Sequence, residues 1–405
     1  MKKYLILLLP VTATLLIAFF IISSTGFLKV GTSGQPSKQA PANSVRDSQE
    51  ISGDLQPQTI TVNGEERTLF LPQGFEISVY SEGLAVPRSF TLDNAGNMFV
   101  AEKGEGRVMM IMKSGIKKII DSNLRSVHGI DYYQGDLYVA EEQQVIAYRQ
   151  IGSDGNFAKK EVLINDLPSG GNHTTRSLLI APDNNIYVSV GSSCNVCEEN
   201  DRRRAAITKY TLDGSGPQIY AEGLRNSVGL TVRPKNSSFE IWSVDNGRDK
   251  IGDDIPVEEV NIIKAGAHYG WPYCHGSGIP NPEYPDRENY CRYSTTFPTF
   301  EMQAHSAPLG LSFVPAGFAP SLDQEDLLIT YHGSWNRTVP TGYKVVRLDT
   351  SDTQARPTDF ITGFITPSGH VWGRPVEVKF QNRTLFISDD KAGTIYKVVY
   401  NNSND

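Results

Sequence analysis

Histidine, arginine and asparagine side chains recur where the chain runs into, or out of, a series of short apolar strands. Those ahead of a strand include His128, Asn172, His173, Arg176, Arg225, Asn226, His305, Trp372 and Arg374. Those that follow a strand include Asp245, Asn246, Gly247, Arg248 and Asp249, and then His332, Ser334, Trp335, Asn336 and Arg337. Guanidinium groups bind carboxylates through paired hydrogen bonds, and a neutral histidine accepts a proton near pH 7. The set predicts a site that receives an anion and carries its own base, although any single arginine is more simply explained as a salt-bridge partner.

A strand signature that recurs six times sets the positions of these residues. Each copy starts with a polar or charged residue and continues as an apolar, β-branched or aromatic run. The copies are Asn97–Glu102, Asp136–Glu141, Asn185–Val190, Glu240–Asp245, Asp326–Tyr331 and Thr384–Asp389. Such self-similarity, with strand composition throughout, is typical of β-propellers. Because the loops at one end of a propeller meet around the central channel, residues far apart in sequence can form one site.

Each copy lies within a larger unit of alternating strands. A short apolar run precedes the signature and a third strand follows it, as Ser89–Leu92 and Arg107–Ile111 do around the first copy. Period-two alternation bounded by turn residues predicts antiparallel strands. The strand Phe75–Tyr80 lies ahead of the first unit, and we expect it to complete the last blade and close the ring. The predicted fold class is all-β, a six-bladed β-propeller preceded by an N-terminal signal or anchor segment.

The composition fits an ordinary globular protein that is rich in turns. The chain has 405 residues, with 36 glycines, 23 prolines and 20% charged residues. A formal charge of −7 offers no basic surface, so no nucleic-acid partner is expected. The sequence contains no P-loop and no G-x-S-x-G nucleophile elbow, which argues against the common nucleotide-binding and serine-hydrolase motifs.

The N-terminal residues have the character of an export signal. Two lysines precede an apolar run from Tyr4 to Ile22, which is long for a signal-peptide core and just long enough to span a bilayer. Residues 1–26 are predicted to be a signal peptide or a signal-anchor helix, and residues 27–57 a flexible tether. Residues 58–405 would then form the propeller outside the cytoplasm, anchored at the membrane or released as a secreted or periplasmic protein.

Four cysteines in an exported chain suggest two disulfides. The pairs Cys194/Cys197 and Cys274/Cys291 fall in separate loops, so local pairing is the simplest of the three connectivities. The C-x-x-C pair could instead be half of a zinc site or a redox pair. Because matching zinc ligands and a thioredoxin-like βαβ setting are not evident in the sequence, structural disulfides are the favoured prediction.

Four segments resemble the glucose/sorbosone dehydrogenase family. They are His173–Arg176, Gly223–Leu230, Asp245–Asp249 and Glu259–Pro272, within a resemblance that covers roughly residues 68–400. The resemblance implies an exported six-bladed propeller that uses pyrroloquinoline quinone (PQQ) and calcium to oxidise aldose sugars. Electrons would pass to an external acceptor, a quinone or a dye-like molecule, because the sequence contains no C-x-x-C-H haem motif.

The resemblance also implies a role for each matching residue. His173 would be the general base that takes the proton of the sugar C1 hydroxyl while hydride passes to the quinone. Arg225 would bind PQQ and stabilise charge on the reduced quinone. The other expected cofactor-binding residues are His128, Asn226, Asn246, Trp335, Arg337, Trp372 and Arg374. The expected metal ligands are the carbonyls of Gly247 and Arg248 for a calcium at the quinone, and Glu259 with Tyr269 for a second, structural calcium.

Two functions of other classes fit parts of the same sequence. A propeller can serve as a docking module without chemistry, and a calcium-dependent propeller lactonase is a further alternative. The joint presence of His173, Arg225 and Arg374 argues against docking alone. His128 and Trp372 stand where the glucose-oxidising members carry glutamine and arginine, so the sequence favours the aldose or sorbosone branch and leaves the sugar open.

Overall fold

The computed structural model describes residues 54–401, and these form an almost entirely β structure. The described chain begins with β1 (Leu55–Val62), β2 (Glu65–Pro72) and β3 (Phe75–Ser81). Blade 1 follows as β4 (Pro87–Leu92), β5 (Met98–Glu102), β6 (Arg107–Ile111) and β7 (Lys117–Asp121). Blade 2 consists of β8 (Ile130–Tyr133), β9 (Asp136–Ala140), β10 (Val145–Arg149) and β11 (Lys159–Ile164). Both blades are antiparallel sheets of consecutive strands, as the alternating pattern predicts.

The third and fourth blades are linked by a long insertion. Blade 3 contains β12 (Arg176–Ala181), β13 (Asn185–Val190), β14 (Ala206–Thr211) and β15 (Gln218–Glu222). Blade 4 starts with β16 (Ser227–Lys235), β17 (Ser238–Asp245) and β18 (Glu258–Ile263). The insertion holds β19 (Ala267–His268), β20 (Cys274–His275), β21 (Ile279–Pro280), a 3-10 turn (Pro285–Arg287) and α1 (Glu288–Tyr293), and β22 (Phe300–Met302) completes blade 4. Because β19 pairs with β15, the insertion fastens the two blades together.

The last two blades close the ring. Blade 5 consists of β23 (Pro308–Phe313), β24 (Asp326–Tyr331), β25 (Lys344–Asp349) and β26 (Thr358–Ile361). Blade 6 consists of β27 (Pro375–Gln381), β28 (Thr384–Asp389) and β29 (Thr394–Tyr400), with β3 as its fourth strand. β3 pairs with β29 from Phe75 opposite Tyr400 to Ser81 opposite Ile395. The predictions of six blades and of closure by this N-terminal strand are confirmed.

Burial of the signature strands holds the blades together. Their central residues, such as Phe99, Tyr138 and Trp242, are almost fully buried and pack between neighbouring sheets. The first strands of the blades contact one another around the channel. In each blade the start of the first strand and the end of the second lie at the same end of the propeller, since the two strands are antiparallel. The loops with the chemically interesting side chains are therefore gathered at one end.

The hairpin β1–β2 is an element that the sequence analysis did not predict. Its residues Leu69 and Leu71 are fully buried, and Phe70 exchanges backbone hydrogen bonds with Thr362 beside blade 5. β1 begins at Leu55, inside the expected tether, so ordered structure starts before the expected boundary at residue 58. The expected signal or anchor segment and most of the tether lie outside the described residues. Of the helices between residues 54 and 401, none has the length and apolar character of a membrane span.

Both disulfides pair locally, as predicted. Cys194–Cys197 closes the loop between β13 and β14, and Cys274–Cys291 joins β20 to α1 within the insertion. Glu199 lies close to Cys194 and Cys197. Among the described residues, these three form the only group of His, Cys, Asp or Glu side chains that are close enough together to hold a metal ion. Because the two sulfurs of that cluster are bonded to each other, they are not available as thiolate ligands, which leaves the zinc interpretation without support.

Candidate active site

His173 lies on the loop before β12 and is held in a fixed orientation. Its Nδ1 lies 2.8 Å from the carbonyl oxygen of Ser192, on the loop after β13. Because a carbonyl can only accept a hydrogen bond, Nδ1 carries the proton and Nε2 is left with a free lone pair. Among the described residues Nε2 has no hydrogen-bond partner, so it is the natural proton acceptor of this loop.

The electrostatic surroundings keep His173 neutral. Burial lowers its pKa to about 4, and the positive charge of Arg225 acts in the same direction. The fully buried guanidinium of Arg176 donates to the carbonyl of His173 at 3.0 Å and to that of Thr175 at 2.8 Å, which fixes the loop. His173 is therefore unprotonated at pH 7 and its ring is held in one orientation, so Nε2 is available to accept a proton.

Glycine is required at position 191 for His173 and Asn226 to stand next to each other. A Cβ atom at Gly191 would lie 2.4 Å from Oδ1 of Asn226 and 2.8 Å from Cβ of His173. Both distances are below any normal contact, so even an alanine would push the two side chains apart. The backbone nitrogen of the next residue, Ser192, donates to the carbonyl of Arg225 at 2.8 Å. The loop after β13 thus contacts His173, the expected base, and also Arg225 and Asn226, two residues expected to bind the cofactor.

Arg225 precedes β16 and is almost completely enclosed. Its Nε and one terminal nitrogen donate to the backbone and side-chain oxygens of Asn195, each at 3.1 Å. The other terminal nitrogen donates to the carbonyls of Asn246 at 3.2 Å and Gly247 at 2.7 Å. A carboxylate oxygen of Asp249 lies 3.2 Å away. Four of these five contacts are to neutral oxygens, and together they fix the guanidinium in place. The carboxylates of Asp249, Asp245 and Glu258 are the negative charges that act on it.

Asn226 and Asn246 continue this arrangement. The backbone nitrogens of Arg225 and Asn226 donate to the carboxylate of Asp245, at 2.9 and 2.6 Å. The backbone nitrogen of Asn246 donates to the carbonyl of Asn226, and its side-chain amide donates to Pro308 at the start of blade 5. These bonds bring Arg225, Asn226 and Asn246 together, and the loop at Gly191 places His173 beside them.

Three buried carboxylates, those of Asp245, Glu258 and Glu259, lie near Arg225. Glu258 accepts hydrogen bonds from the backbone nitrogens of Gly247 at 2.6 Å and Ala307 at 3.2 Å, yet burial raises its pKa to about 8. Burial also raises the pKa of Asp245 and of Glu259, which lie near enough to repel each other. Buried acids with raised pKa values are typical of sites where a cation or a proton compensates the charge.

The expected ligands of the second calcium line a small cavity of about 20 Å³, enough for one water or one cation. Its walls include Asp245, Glu259, Tyr269 and Asn281, and also Gly247 and the two arginines Arg225 and Arg248. Oδ1 of Asn281 is buried and lacks a hydrogen-bond partner within the described residues. The unpartnered acceptor and the carboxylates fit an oxygen-liganded cation such as calcium, whereas the positive charges of Arg225 and Arg248 oppose one.

The carbonyls of Gly247 and Arg248 are the ligands expected for the other calcium, and the first of them is already engaged. The carbonyl of Gly247 accepts the hydrogen bond from Arg225. The buried side chain of Arg248 pairs with both carboxylate oxygens of Glu283 in the insertion. A cation at this loop would therefore share the Gly247 carbonyl with the guanidinium.

His128 belongs to a second set of contacts, on the other side of the same end of the propeller. Its Nδ1 accepts a hydrogen bond from Nε of Arg88 at 3.2 Å, and the same guanidinium pairs with Asp390 at 2.6 Å. Asp390 also accepts from Nε2 of His332 at 2.9 Å. This chain of ionic contacts links blades 1, 2, 5 and 6 through Arg88, His128, His332 and Asp390, which we call the bridge side. His173, Ser192, Asn195 and Arg225 form the clamp side.

The bridge side is compensated in charge. Burial acts to raise the pKa of Asp390, but the hydrogen bond from His332 and the charge of Arg88 outweigh burial. The pKa is therefore below its ordinary value, and Asp390 stays ionised. Burial lowers the pKa of His332 to about 4 and also lowers that of His128, helped by Arg88. Two neutral histidines therefore flank one arginine–aspartate ion pair.

The remaining expected cofactor residues fall into three environments. Arg374 donates to the carbonyls of His332 at 2.9 Å and Gly333 at 2.6 Å, so it adjoins the bridge side. Arg337 pairs with Asp254 at 2.7 Å, and its neighbour Trp335 is 68% exposed. Trp372 packs against Phe364 in the core and donates to the carbonyl of Gly363, so it is not brought to either side.

Sequence reasoning missed Arg88, Asn195 and Asp390. Arg88 and Asp390 are separated by 302 residues and carry no local motif. Asn195 was visible only as the residue inside the C-x-x-C pair. Asn195 could have been found from its position. It lies on the loop after β13, at the same end of blade 3 as the loop before β12 that carries His173.

The fold and the site together define a six-bladed propeller with a neutral histidine and a fixed arginine at one end. A family model described as TrAA12-like matches residues 69–401, and the chain belongs to this family. An uncharacterized protein of Borreliella burgdorferi is 31% identical over 366 residues, 84% of this chain and 94% of that protein.

Two further relatives carry a functional description. A pyrroloquinoline quinone-dependent sugar dehydrogenase of Hypocrea jecorina is 26% identical over 412 residues, 85% of this chain and 93% of that protein. The holo form of the pyranose dehydrogenase PQQ domain from Coprinopsis cinerea has the same fold, with a TM-score of 0.70 at 22% identity. That match covers 82% of this chain and 97% of the other. The resemblance read from the sequence is confirmed at the level of the family.

Proposed function

We propose that this protein is a PQQ-dependent dehydrogenase that oxidises an aldose or a related sugar at C1. The observation that carries the proposal is the pairing of a neutral, oriented His173 with an enclosed Arg225 across Ser192. Family membership and the sugar dehydrogenase among the relatives support the reaction class.

The donors at this end of the propeller fit a quinone that carries several carboxylates. Arg225 is held by neutral oxygens and by the carboxylate of Asp249, and Arg374 is held by two backbone carbonyls. The side-chain amide of Asn226 and Nε2 of His173 lie next to each other around Gly191. We assign these four residues to the cofactor and its substrate, and we keep His128, Asn246 and Arg337 as further residues expected to contact the cofactor. PQQ, when bound, would supply the quinone that accepts hydride.

The protein's own contribution to the reaction is proton transfer and orientation. Nε2 of His173 takes the proton from the C1 hydroxyl as the C1–H bond gives up its hydride, so that the sugar loses two electrons and two hydrogens and becomes a lactone. Since the Ser192 carbonyl accepts from Nδ1, it stabilises the imidazolium that forms. Arg225 counters the negative charge that develops on the acceptor.

Calcium belongs to the proposal through the buried acids. The raised pKa of Glu259 and the unpartnered Asn281 oxygen support a cation in the cavity that Tyr269 also lines. A second cation near the carbonyls of Gly247 and Arg248 would have to share the former with Arg225. If either cation binds, calcium should raise the thermal stability of the protein even without quinone.

Export and the external electron acceptor complete the proposal. Local disulfides fit an oxidising compartment, and a quinone or dye-like acceptor would reach the reduced site from solution or from the membrane. The N-terminal segment would decide between anchoring and release.

The test is a binding titration of the purified protein with PQQ, with and without calcium, followed by dye-linked assays over a panel of aldoses. We expect saturable binding with a shifted quinone absorption, and lactone formation from at least one aldose. Saturable binding with no oxidation of any aldose would contradict the substrate class. If a folded protein binds no PQQ, the dehydrogenase proposal fails and a docking module becomes the better account. Hydrolysis of a lactone without quinone would favour the lactonase.

A further inference from the structure

Asn195 connects the two loops that enclose Arg225. Its backbone oxygen and its side-chain oxygen each accept a hydrogen bond from the guanidinium at 3.1 Å. The same side-chain oxygen accepts from the backbone nitrogen of Asp249 at 2.8 Å, and its amide donates to the Asp249 carbonyl at 3.0 Å. One side chain therefore fixes both the arginine and the loop after β17.

The loop that carries Asn195 is closed by the Cys194–Cys197 disulfide. The carbonyl of Cys194 accepts a hydrogen bond from Oγ of Ser192 at 2.8 Å, and Ser192 is the residue that orients His173. A four-residue ring has far fewer conformations than an open loop of the same length. The ring thus limits where Asn195 can lie relative to the base.

Asp249 extends the arrangement towards blade 5. One of its carboxylate oxygens lies 3.2 Å from Arg225, and the other accepts from the side-chain amide of Asn336 at 2.9 Å. Because Asn336 adjoins the exposed Trp335, the position of Arg225 is linked to the rim of the site.

We propose that Asn195, held in the disulfide-closed ring, is a positioning residue that fixes Arg225 for cofactor binding. This inference rests on the proposed function only in taking PQQ as the ligand of Arg225. Without the Asn195 side chain, the guanidinium loses one of its five hydrogen-bonding contacts and the loop after β17 loses two. Arg225 then samples other rotamers. Because the cofactor must order the side chain again when it binds, the affinity falls.

The first test is the affinity for PQQ of Asn195→Ala, measured by absorption titration of the full protein. We expect binding about tenfold weaker, as for loss of a hydrogen bond to a charged group. The matched control is Asn156→Ala, in an exposed turn of blade 2 where the side chain contacts Asp154 and Lys118, and it should bind as the wild type does. Equal affinity in Asn195→Ala and the wild type would overturn the proposal.

A double-mutant cycle separates positioning from a general structural effect. If Asn195 acts through Arg225, the double variant Asn195→Ala/Arg225→Ala binds PQQ no more weakly than Arg225→Ala alone. Additive losses would show that Asn195 acts independently, which contradicts the assignment. Melting temperatures of all variants, measured without cofactor, show which of them are folded under assay conditions.

A cofactor-free measurement keeps this inference distinct from the proposed function. The charge of Arg225 contributes to the low pKa of His173, so an arginine that moves away lets that pKa rise. We expect NMR titration of apo Asn195→Ala to show a higher pKa for His173 than in the wild type. An unchanged pKa would contradict positioning, whereas failure of the wild type to bind PQQ would affect only the proposed function.

The ring itself is tested with Cys194→Ser/Cys197→Ser. This variant keeps Asn195 but opens the loop, so we expect an intermediate loss of PQQ affinity and a partial rise in the pKa of His173. Wild-type values for both quantities would remove the disulfide from the proposal and leave Asn195 alone as the positioning residue.

Discussion

The clamp side and the bridge side use the same residue types in opposite ways. On the clamp side, Arg225 is held chiefly by carbonyl and amide oxygens, and Asp249 is the one carboxylate that pairs with it directly. On the bridge side, Arg88 forms a close ion pair with Asp390, which also binds His332. The carboxylate contact of Arg225 is longer, at 3.2 Å, than the 2.6 Å contact of Arg88, so more of the charge of Arg225 is left for a ligand. The comparison supports our proposal that the reacting groups lie on the clamp side, while the ionic contacts of the bridge side join four blades.

The largest expected effect is on the clamp side. We predict that His173→Ala lowers kcat by about 10³-fold, within the range for loss of a general base, while PQQ affinity stays near the wild-type value. Steady-state dye-linked assays and PQQ titrations measure the two quantities. The control is His370→Ala, which replaces an exposed histidine on the loop before blade 6. A variant at His173 that keeps its kcat would assign the base to another residue.

A substitution on the bridge side should affect stability more than catalysis. Asp390→Asn leaves a buried arginine without its counter-charge, so we expect the free energy of unfolding to fall by about 3 kcal/mol at neutral pH. Chemical denaturation measures this, with Glu288→Gln at an exposed helical ion pair as the near-neutral control. A kcat loss as large as that of His173→Ala, in a protein of unchanged stability, would place Asp390 in the reaction.

The stability difference between the wild type and Asp390→Asn should depend on pH. The pKa of Asp390 is lower in the folded protein than its ordinary value. Its stabilisation is therefore fully present above the pKa of an unfolded aspartate, about 4, and is lost as the pH falls below that value. The stabilities of the wild type and Asp390→Asn should approach each other in acid. A difference that stays constant down to pH 3 would contradict the ion-pair explanation.

The smallest expected effect is a change in the pKa of one histidine. Arg225 lies close enough to lower the pKa of His173, but it does not act on His332. Arg225→Ala should raise the pKa of His173 from about 4, because one of the charges that lowers it is removed. The pKa of His332 is lowered by burial, Arg374 and Arg88, so it should not change. NMR titration of the cofactor-free protein compares the two in one sample. A parallel shift of both would show that the sides are electrostatically coupled.

The sequence predicts the propeller and the clamp side better than the bridge side, for a physical reason. Strand alternation is local, so the six signatures and the closing strand β3 could be read directly. His173, Arg225 and Asn226 lie in contiguous motifs, and their loops meet because consecutive blades are neighbours. Arg88 and Asp390 meet because closure of the ring places blade 1 beside blade 6, and no motif in the sequence pairs these two residues. The hairpin β1–β2 was missed because its polar, proline-containing start looks like a tether.

Trp372 shows the limit of transferring a role by position alone. The resemblance places it among the cofactor residues, yet its ring packs against Phe364 and lies 5.4 Å from the guanidinium of Arg67, on the hairpin β1–β2. A tryptophan in place of an arginine favours burial over contact with an anion. The role of Trp372 in cofactor binding stays a prediction, and the structure assigns its side chain to packing.

The most direct test of the central claim is rapid mixing of the PQQ-loaded protein with an aldose that it oxidises, followed through the quinone absorption. The wild type and His173→Ala are compared at equal occupancy. We predict rapid bleaching in the wild type and bleaching slower by about 10³-fold in the variant, since only proton removal from the C1 hydroxyl is lost. Equal rates in the two proteins would contradict the assignment of His173 as the base, and with it the account of the clamp side as the reacting half.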